Sequence, residues 1–370
     1  MKKIVSSILA VVMLSSASLA LPSGYLPYGV GARFSAMGGA GCALSEDLVG
    51  AYYNPAGMAK GQKMSVKLGG GAASNGMDKL ISTLSSASDP SKFILDNYAN
   101  ALDINGNMNL FLGLNIGKLG ISIIPLTSLN LNKSAGTVNG SATAMMMGEG
   151  VVTISRGLSA PYLGSINAGA NIKYIVAGAG TATVLGASST TIGTARSGFG
   201  FDLGAQAKVD AIPTVPLSVG VVLKDIGATL RGNTNTISKT VDPLTGNVIS
   251  ESETSAPAAD YPIPTTFVIG AATKIPVVGL TVALDLDNVS ADNTMGTPAY
   301  SVTHIGLEYP VAMGLVNLRL GKISGGPAGS SVDMTTYGAG VLGNMINVAM
   351  ITDNANTKNN QIMFDVGLGF

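Results

Sequence analysis

An alternation of apolar and polar residues recurs along the chain from residue 64 onwards. In MNLFLGLNI (108–116) and in QIMFDVGLGF (361–370), every even-numbered residue is apolar. A period of two places successive side chains on opposite faces of a β-strand. We count about fourteen such segments, which begin near residues 64, 106, 118, 144, 163, 196, 215, 264, 278, 300, 312, 333, 345 and 360. The period therefore predicts an all-β protein whose sheet has one apolar and one polar face.

The composition indicates where the apolar face goes. Hydrophobic residues make up 46% of the chain and charged residues only 11%, compared with about 25% charged residues in ordinary soluble domains. Such a chain has to bury most of its surface in protein or in lipid. No segment has the roughly 20 unbroken apolar residues that a membrane-spanning helix needs. A closed β-barrel is then the remaining way to cross a membrane, because all its backbone groups pair between strands.

The spacing of the segments favours one kind of barrel. Short links at 117–118, 157–162, 210–214, 274–277, 310–311 and 343–345 alternate with longer stretches, of which the largest are about 73–105 and 224–262. Bacterial outer-membrane barrels have an even number of strands, short periplasmic turns and longer outer loops. We therefore predict an outer-membrane antiparallel β-barrel of about fourteen strands. Helices are expected at 77–86 and 89–102, and the polar segment 240–262 is expected to be a mobile loop.

The N-terminus predicts export. Residues 1–20 combine Lys2 and Lys3 with an apolar run and the small residues SLA, which is typical of a cleaved signal peptide. The only cysteine, Cys42, lies far beyond the cleavage point and is expected to be a small buried residue rather than a lipid anchor. At the other end, the chain closes on Phe370, which resembles the signal that the barrel-assembly machinery recognises. The alternative is an ordinary last strand.

The sequence predicts no enzyme, no cofactor and no metal site. His304 is the only histidine, and the match to G-x-G-x-x-G at 338–343 has no following helix, so it fails as a dinucleotide site. The net charge of zero gives nucleic acid no electrostatic support as a partner. Asp285 and Asp287 are expected to be solvated or ion-paired. The charged and polar residues expected to face the lumen are Asp202, Lys208, Asp285, Asp287, His304, Glu308 and Arg319.

Glycines recur on the predicted inner face. Glycine is kept in strands where the sheet bends or where another backbone approaches closely, so these positions predict that something is packed inside the barrel. The inward glycines are Gly113, Gly169, Gly200, Gly204, Gly220, Gly270, Gly306 and Gly321.

A turn before the first strand has unusual local chemistry. In YYNPAGMAK (52–60), Pro55 favours an extended Asn54, whose side chain is suited to bond its own backbone, and Gly57 permits a tight turn. The segments GARFSAMGGAG (31–41) and LVGAYYNPAGMA (48–59) resemble the N-terminal hatch of the FadL-type outer-membrane transport family, which includes PorV-like barrels. YPIPTTFVIGAA (261–272) and HIGLEY (304–309) resemble strands of that family more weakly.

The resemblance implies a fourteen-stranded barrel with an N-terminal plug, through which hydrophobic molecules diffuse passively and leave by a lateral opening. It implies a signal peptide at 1–20, a hatch at 21–63 and a barrel at 64–370. Asn54, Pro55, Ala56 and Gly57 would form the hatch turn. The residues expected to contact an apolar ligand are Phe34, Met37, Tyr52, Tyr53 and Phe111.

Pro125, in the middle of the third strand, is a candidate kink. Proline removes a hydrogen bond from the ladder, so Pro125 either weakens the wall or marks where the strand leaves the membrane. The chain has no tryptophan, and Arg33 and Lys60 form no basic pair for a ligand carboxylate. The sequence therefore favours a channel for the passive uptake of small hydrophobic compounds, either long-chain fatty-acid-like or aromatic, and the lack of a basic pair counts against the fatty-acid class. The alternative is a PorV-like docking or shuttle component of a secretion system; an open aqueous porin is disfavoured by the glycine-lined interior.

Overall fold

The computed structural model describes residues 29–75, 101–136, 139–160, 164–185, 187–209, 216–241, 248–355 and 360–369. The signal peptide expected at 1–20, nearly all of the two helices expected within 77–102, and Phe370 lie outside these residues. In the part of the chain that is described, no helix has the length and the apolar character needed to span a bilayer.

The described chain is dominated by β-strands. The strands are β1 (Met64–Asn75), β2 (Leu102–Ile116), β3 (Leu119–Lys133), β4 (Gly140–Ala160), β5 (Gly164–Leu185), β6 (Ser188–Val209), β7 (Leu217–Ile226), β8 (Thr229–Val241), β9 (Val248–Pro257), β10 (Tyr261–Pro262), β11 (Thr266–Lys274), β12 (Thr281–Val289), β13 (Tyr300–Val311), β14 (Val316–Gly325), β15 (Val332–Val341), β16 (Ile346–Asp353) and β17 (Gln361–Gly369). Fourteen of these strands, all except β8, β9 and β10, pair antiparallel in chain order, and β1 pairs with the last strand to close the barrel. This confirms the predicted barrel of about fourteen antiparallel strands.

The alternating sequence forms the two faces of the wall. On β2, Leu110, Leu112 and Leu114 point outward and are about half exposed, whereas Asn109 and Asn115 are buried inside. Exposed Leu, Ile, Val and Phe side chains continue around the barrel. An apolar exterior with a polar interior is the arrangement of a barrel that sits in lipid.

The two ends of the barrel differ. At the end where β1 begins, short turns join β2 to β3, β12 to β11 and β15 to β16, and we call this the short-turn end. The opposite, long-loop end carries strand extensions that the sequence interpretation assigned to loops. β4, β5 and β6 have 21 or 22 residues each, about twice the 9–11 that cross a bilayer, so they project well beyond it.

The segment 240–262 is mostly not the mobile loop expected from its polar composition. β8 pairs with the outer half of β6, β9 pairs with β8, and β10 pairs back onto β8. The polar residues fit a strand here because the projecting sheet faces water on both sides. Strands of this kind carry no apolar face for a sequence period to detect.

Candidate functional site

Residues 29–61 form a folded segment inside the barrel, which we call the inner segment. It contains the short helices Ala32–Ala36 and Gly50–Tyr53 and the 3-10 helix Pro55–Lys60. The first helix contacts β14 to β17, and the 3-10 helix contacts β4 to β6. The inner segment therefore crosses the interior from one side of the wall to the other.

Asn54 ties the turn of the inner segment to the wall. Its backbone is extended (φ −154°, ψ 112°), as a following proline favours. Its Oδ1 accepts a hydrogen bond from the backbone N–H of Ala56 at 3.0 Å, which orders the start of the 3-10 helix. Its Nδ2 donates to the carbonyl oxygens of Cys42 (2.9 Å) and of Ala205 on β6 (3.0 Å). One buried amide thus joins three pieces of backbone.

Gly57 is needed for space rather than for backbone conformation. The sequence suggested that it permits a tight turn, but its φ is not positive and it lies inside the 3-10 helix. A Cβ atom at this position would overlap Ser45. The Ser45 hydroxyl in turn lies 2.8 Å from the carbonyl oxygen of Gly41 and 2.7 Å from that of Gly50, so the backbone loops pack around it.

The inward glycines make room for the inner segment. A Cβ atom on Gly169 would lie 2.5 Å from the backbone nitrogen of Ala56, and one on Gly306 would lie 2.6 Å from the carbonyl oxygen of Met37. Gly113, Gly204, Gly220, Gly270 and Gly321 are similarly close to atoms of the inner segment. The predicted close approach of another backbone is confirmed at four of these seven positions, namely Gly169, Gly220, Gly306 and Gly321, whereas the other three lie against side chains of the inner segment. Gly200 is the exception, because it faces Ala228.

An ion-pair network holds the first helix against β13 and β14. Glu308 accepts hydrogen bonds from Arg33 Nε and Nη2, both at 3.2 Å, and from Arg319 Nε at 2.7 Å. Arg319 is fully buried and also donates to Asn347 at 2.9 Å. Asn347 is bonded to Asp365, whose other oxygen accepts the backbone N–H of Arg33. Each buried charge therefore has an opposite charge or an amide beside it.

Two further polar side chains bind the backbone of the inner segment. Asp285 Oδ2 accepts the N–H groups of Gly41 (2.8 Å) and Cys42 (2.7 Å), and Nδ1 of His304 lies 2.7 Å from the carbonyl oxygen of Gly38. Asp285 was expected to be solvated or ion-paired. It instead binds backbone N–H groups, because the inner segment occupies the space that solvent would fill.

A second charged cluster lies across the barrel, on β5 to β7. Lys173 Nζ forms ion pairs with Asp202 (2.8 Å) and with Asp225. Asn171 donates to Asp202 at 2.9 Å and to the carbonyl oxygen of Ala51 at 3.0 Å. This cluster thereby fixes the second short helix.

Aromatic residues of the inner segment form the centre of an apolar cluster. The ring of Tyr53 lies 4.7 Å from that of Phe34 and 5.3 Å from that of Tyr52, and its hydroxyl accepts from the Val30 N–H and donates to the Val30 carbonyl oxygen, both at 2.9 Å. The wall contributes apolar side chains that point inward from β2 to β5. These are Phe111, Ile124, Leu126, Met147, Val151 and Ile175.

The wall beside this cluster is interrupted at Pro125. The β2–β3 ladder skips residues 110–111 of β2 and 124–125 of β3, and it continues in the same register on either side. On its other edge, Pro125 remains opposite Gly148 of β4. The interruption is thus confined to the β2 side, as expected where proline cannot donate a hydrogen bond.

Three of the predicted site residues lie elsewhere. Met37 packs under small residues of β11 and β12, in a cluster separate from Phe34 and Tyr53. Lys208 is exposed near the short-turn end. Asp287 is only partly buried, with Oδ2 3.7 Å from His304 Nε2.

The inward apolar residues of β3 to β5 were missed by the sequence interpretation. Ile124, Leu126, Met147 and Ile175 lie on the face that was expected to be polar. A signal was present, because Ile123 and Ile124 are adjacent and break the alternation. Two successive apolar residues in a strand indicate burial on both faces.

An open pocket of about 560 Å³ lies at the long-loop end, where Ala177 lines it and also packs against the apolar cluster. It is formed between β5, β6 and the β8–β9 hairpin. Its lining includes Met146, Tyr174, Val176, Arg196 and Arg231.

Comparisons with known proteins identify this architecture. No protein-family model matches the chain, and no curated protein sequence matches it. Solved structures are similar. The toluene transporter TodX of Pseudomonas putida has a TM-score of 0.63 and 12% identity, over 92% of this chain and 98% of that one. The Ralstonia pickettii toluene transporter TbuX (TM-score 0.55, 13% identity) covers 93% of this chain and 98% of its own.

The CymD monoaromatic hydrocarbon channel has a TM-score of 0.55 at 14% identity, over 92% of this chain and 97% of that one. These identities are low, so the likeness concerns the fold. The chain therefore has the fold of the FadL-type transporters, as its N-terminal sequence suggested.

Proposed function

We propose that the protein is an outer-membrane channel for the passive uptake of small hydrophobic compounds. One observation carries the proposal: the apolar cluster meets the interruption in the wall. Phe111 and Ile124 belong to the buried cluster, and both lie at the positions where β2 and β3 do not pair. Their neighbours Leu110 and Pro125 face the opposite way, towards lipid. Only the unpaired part of β2 and β3 would thus separate an apolar molecule beside Tyr53 from the bilayer.

In this proposal residues 21–63 act as the hatch, with the turn Asn54–Gly57 at its base. The cluster is packed around Phe34, Tyr52 and Tyr53, so passage requires these rings to move. Toluene and other monoaromatic hydrocarbons are the compounds named for the similar structures. We assign the same broad class here, with entry from the long-loop end.

The charges around the cluster favour an uncharged compound. Near Tyr52, Lys173 and Lys224 are outnumbered by Glu149, Asp202 and Asp225. Burial raises the pKa of the Tyr52 hydroxyl well above its ordinary value, and the Glu149 carboxylate acts in the same direction. A ligand carboxylate placed here would find Lys173 already paired with Asp202 and Asp225, and it would lose its hydration.

Uptake of a neutral aromatic compound should therefore exceed uptake of a fatty-acid anion. Bacterial cells that lack their own hydrocarbon channels and express this protein should take up labelled toluene faster than cells with an empty vector, and oleate should compete weakly. Native mass spectrometry of protein purified gently from its membrane should show a bound apolar molecule. A stoichiometric protein partner without a small ligand would instead favour the PorV-like docking alternative.

Replacing Pro125 by valine should reduce uptake towards that of the empty vector. Valine supplies the missing N–H, so the β2–β3 ladder can close over residues 110–111. The matched control is Pro310→Val, because Pro310 lies in an uninterrupted part of the β13–β14 ladder. In both variants, the gel mobility of the protein should still change when the sample is heated, as it does for a folded barrel. Unchanged uptake by a folded Pro125→Val variant would refute the lateral exit.

Two other expectations belong to the same proposal. We propose that residues 1–20 are removed on export and that Phe370 is recognised during assembly into the outer membrane. The apolar exterior of the barrel and the long strands that extend beyond one end of it support that location.

A further inference from the structure

The β8–β9 hairpin carries an open sheet edge outside the membrane. β9 pairs with β8 along one side, and no described residue pairs with its other side. All ten residues of β9 are exposed. In an antiparallel strand, alternate N–H and C=O groups point away from the paired neighbour, so this edge offers a row of free backbone donors and acceptors.

The edge lacks most of the devices that prevent strands from pairing. Proteins usually protect such edges with lysine, proline, bulges or short length. β9 has no lysine, its only proline is the last residue, Pro257, and its irregularity lies at the first pair, Val241 with Val248. The stretch from 250 to 256 is therefore regular and accessible.

The negative charge of β9 favours a basic partner. Glu251 and Glu253 are two residues apart and so share one face of β9. Lys239 pairs with Glu251 at 3.2 Å, whereas the described residues provide no ion pair for Glu253. A strand that bears lysine or arginine at alternate positions would place positive charge directly beside these carboxylates.

A second copy of this chain fits poorly. Two identical antiparallel strands are related by a two-fold axis normal to the sheet. Odd-numbered residues of one copy therefore face odd-numbered residues of the other. The registers with the greatest overlap then set Glu251 or Glu253 against a glutamate of the other copy. Like charges directly opposite each other destabilise a strand pair.

We propose that β9 docks an extended, basic segment of another cell-surface or secreted protein by adding it as a strand to the outer sheet. Backbone hydrogen bonds would supply affinity, and the two glutamates would select the charge and the register. This role is independent of the path through the barrel, which lies on β2 to β5.

The test uses the full-length protein in detergent or nanodiscs and a labelled synthetic peptide of sequence TKVKVKT, followed by fluorescence anisotropy. The double variant E251K/E253K should weaken binding of this peptide by about tenfold or more, because two exposed ion pairs are lost and repulsion replaces them. The same variant should gain affinity for the acidic counterpart TEVEVET. The control D260K reverses an exposed charge at the same end of the barrel but outside β9, and it should leave binding unchanged.

A peptide with N-methylated central residues separates strand addition from simple charge attraction. It keeps the lysines and loses the backbone donors, so its binding should be abolished. Equal binding of the methylated and unmethylated peptides, or equal binding of the basic and acidic peptides to the unmodified protein, would overturn the proposal. A dimer in sedimentation that E251K/E253K disrupts would overturn it in favour of a second copy.

Discussion

Replacing Glu308 by alanine should lower the free energy of unfolding by about 3–5 kcal/mol, the usual loss when one partner of a buried ion pair is removed. Among the carboxylates of the described residues, Glu308 alone contacts both guanidinium groups, with Arg33 at 3.2 Å and Arg319 at 2.7 Å. Arg319 is fully buried, so it would keep its charge without a counterion or water. The loss should be measured by urea unfolding in detergent, with the folded fraction taken from gel mobility.

The same substitution should also loosen the inner segment. Because Arg33 lies in the first helix, proteolysis in the region of residues 29–36 should become faster in Glu308→Ala. Asp260→Ala is the control, since it breaks an exposed ion pair in which the side chain of Arg231 is 75% exposed and that of Asp260 is 55% exposed. Such pairs contribute about 1 kcal/mol or less to stability. Equal effects of the two substitutions would show that water screens the Glu308 network.

Replacing Gly169 by alanine should destabilise the protein by about 1–3 kcal/mol, the range found for overpacked cores. The added methyl group would lie 2.5 Å from the backbone nitrogen of Ala56. Neither group can move away easily, because the methyl group is attached to the backbone of β5 and the nitrogen belongs to the start of a 3-10 helix that Asn54 holds in place. We expect the turn to shift away from β5, with a lower midpoint of urea unfolding.

Gly178→Ala provides a matched control on the same strand. A Cβ atom there meets nothing nearer than the carbonyl oxygen of Thr194 at 3.9 Å, which is an ordinary contact. That variant should be as stable as the parent or slightly more so, since alanine restricts the unfolded chain. A Gly169→Ala variant as stable as Gly178→Ala would mean that the inner segment does not press against β5.

The barrel was predictable because its signal is local and repeated. Each crossing strand needs only an alternation of apolar and polar residues, and the number of such segments is the number of strands that close the sheet. The β4–β6 extensions and the β8–β9 hairpin were not predicted, because their residues do not alternate between apolar and polar.

The candidate site was predictable only in part. The glycines of the inner face indicated a close backbone, and the Asn-Pro turn indicated its shape. The bonding of Asp285 was misjudged, because it depends on which part of the inner segment lies over its strand. The inward apolar residues of β3 to β5 were not predicted either, because their burial depends on the aromatic residues of the inner segment that lie against them.

The sequence by itself determined that this chain closes into a membrane barrel, and that a proline lies in the middle of its third strand, because these properties depend on residues close together in the chain. Only the tertiary structure decided that residues 110–111 and 124–125 stay unpaired beside Tyr53, that Glu308 joins Arg33 to Arg319, and that β9 has a free edge. Each of these depends on contacts between residues far apart in sequence, for example 275 positions for Arg33 and Glu308. Such contacts follow from the closure of the sheet around the inner segment, which no local pattern encodes.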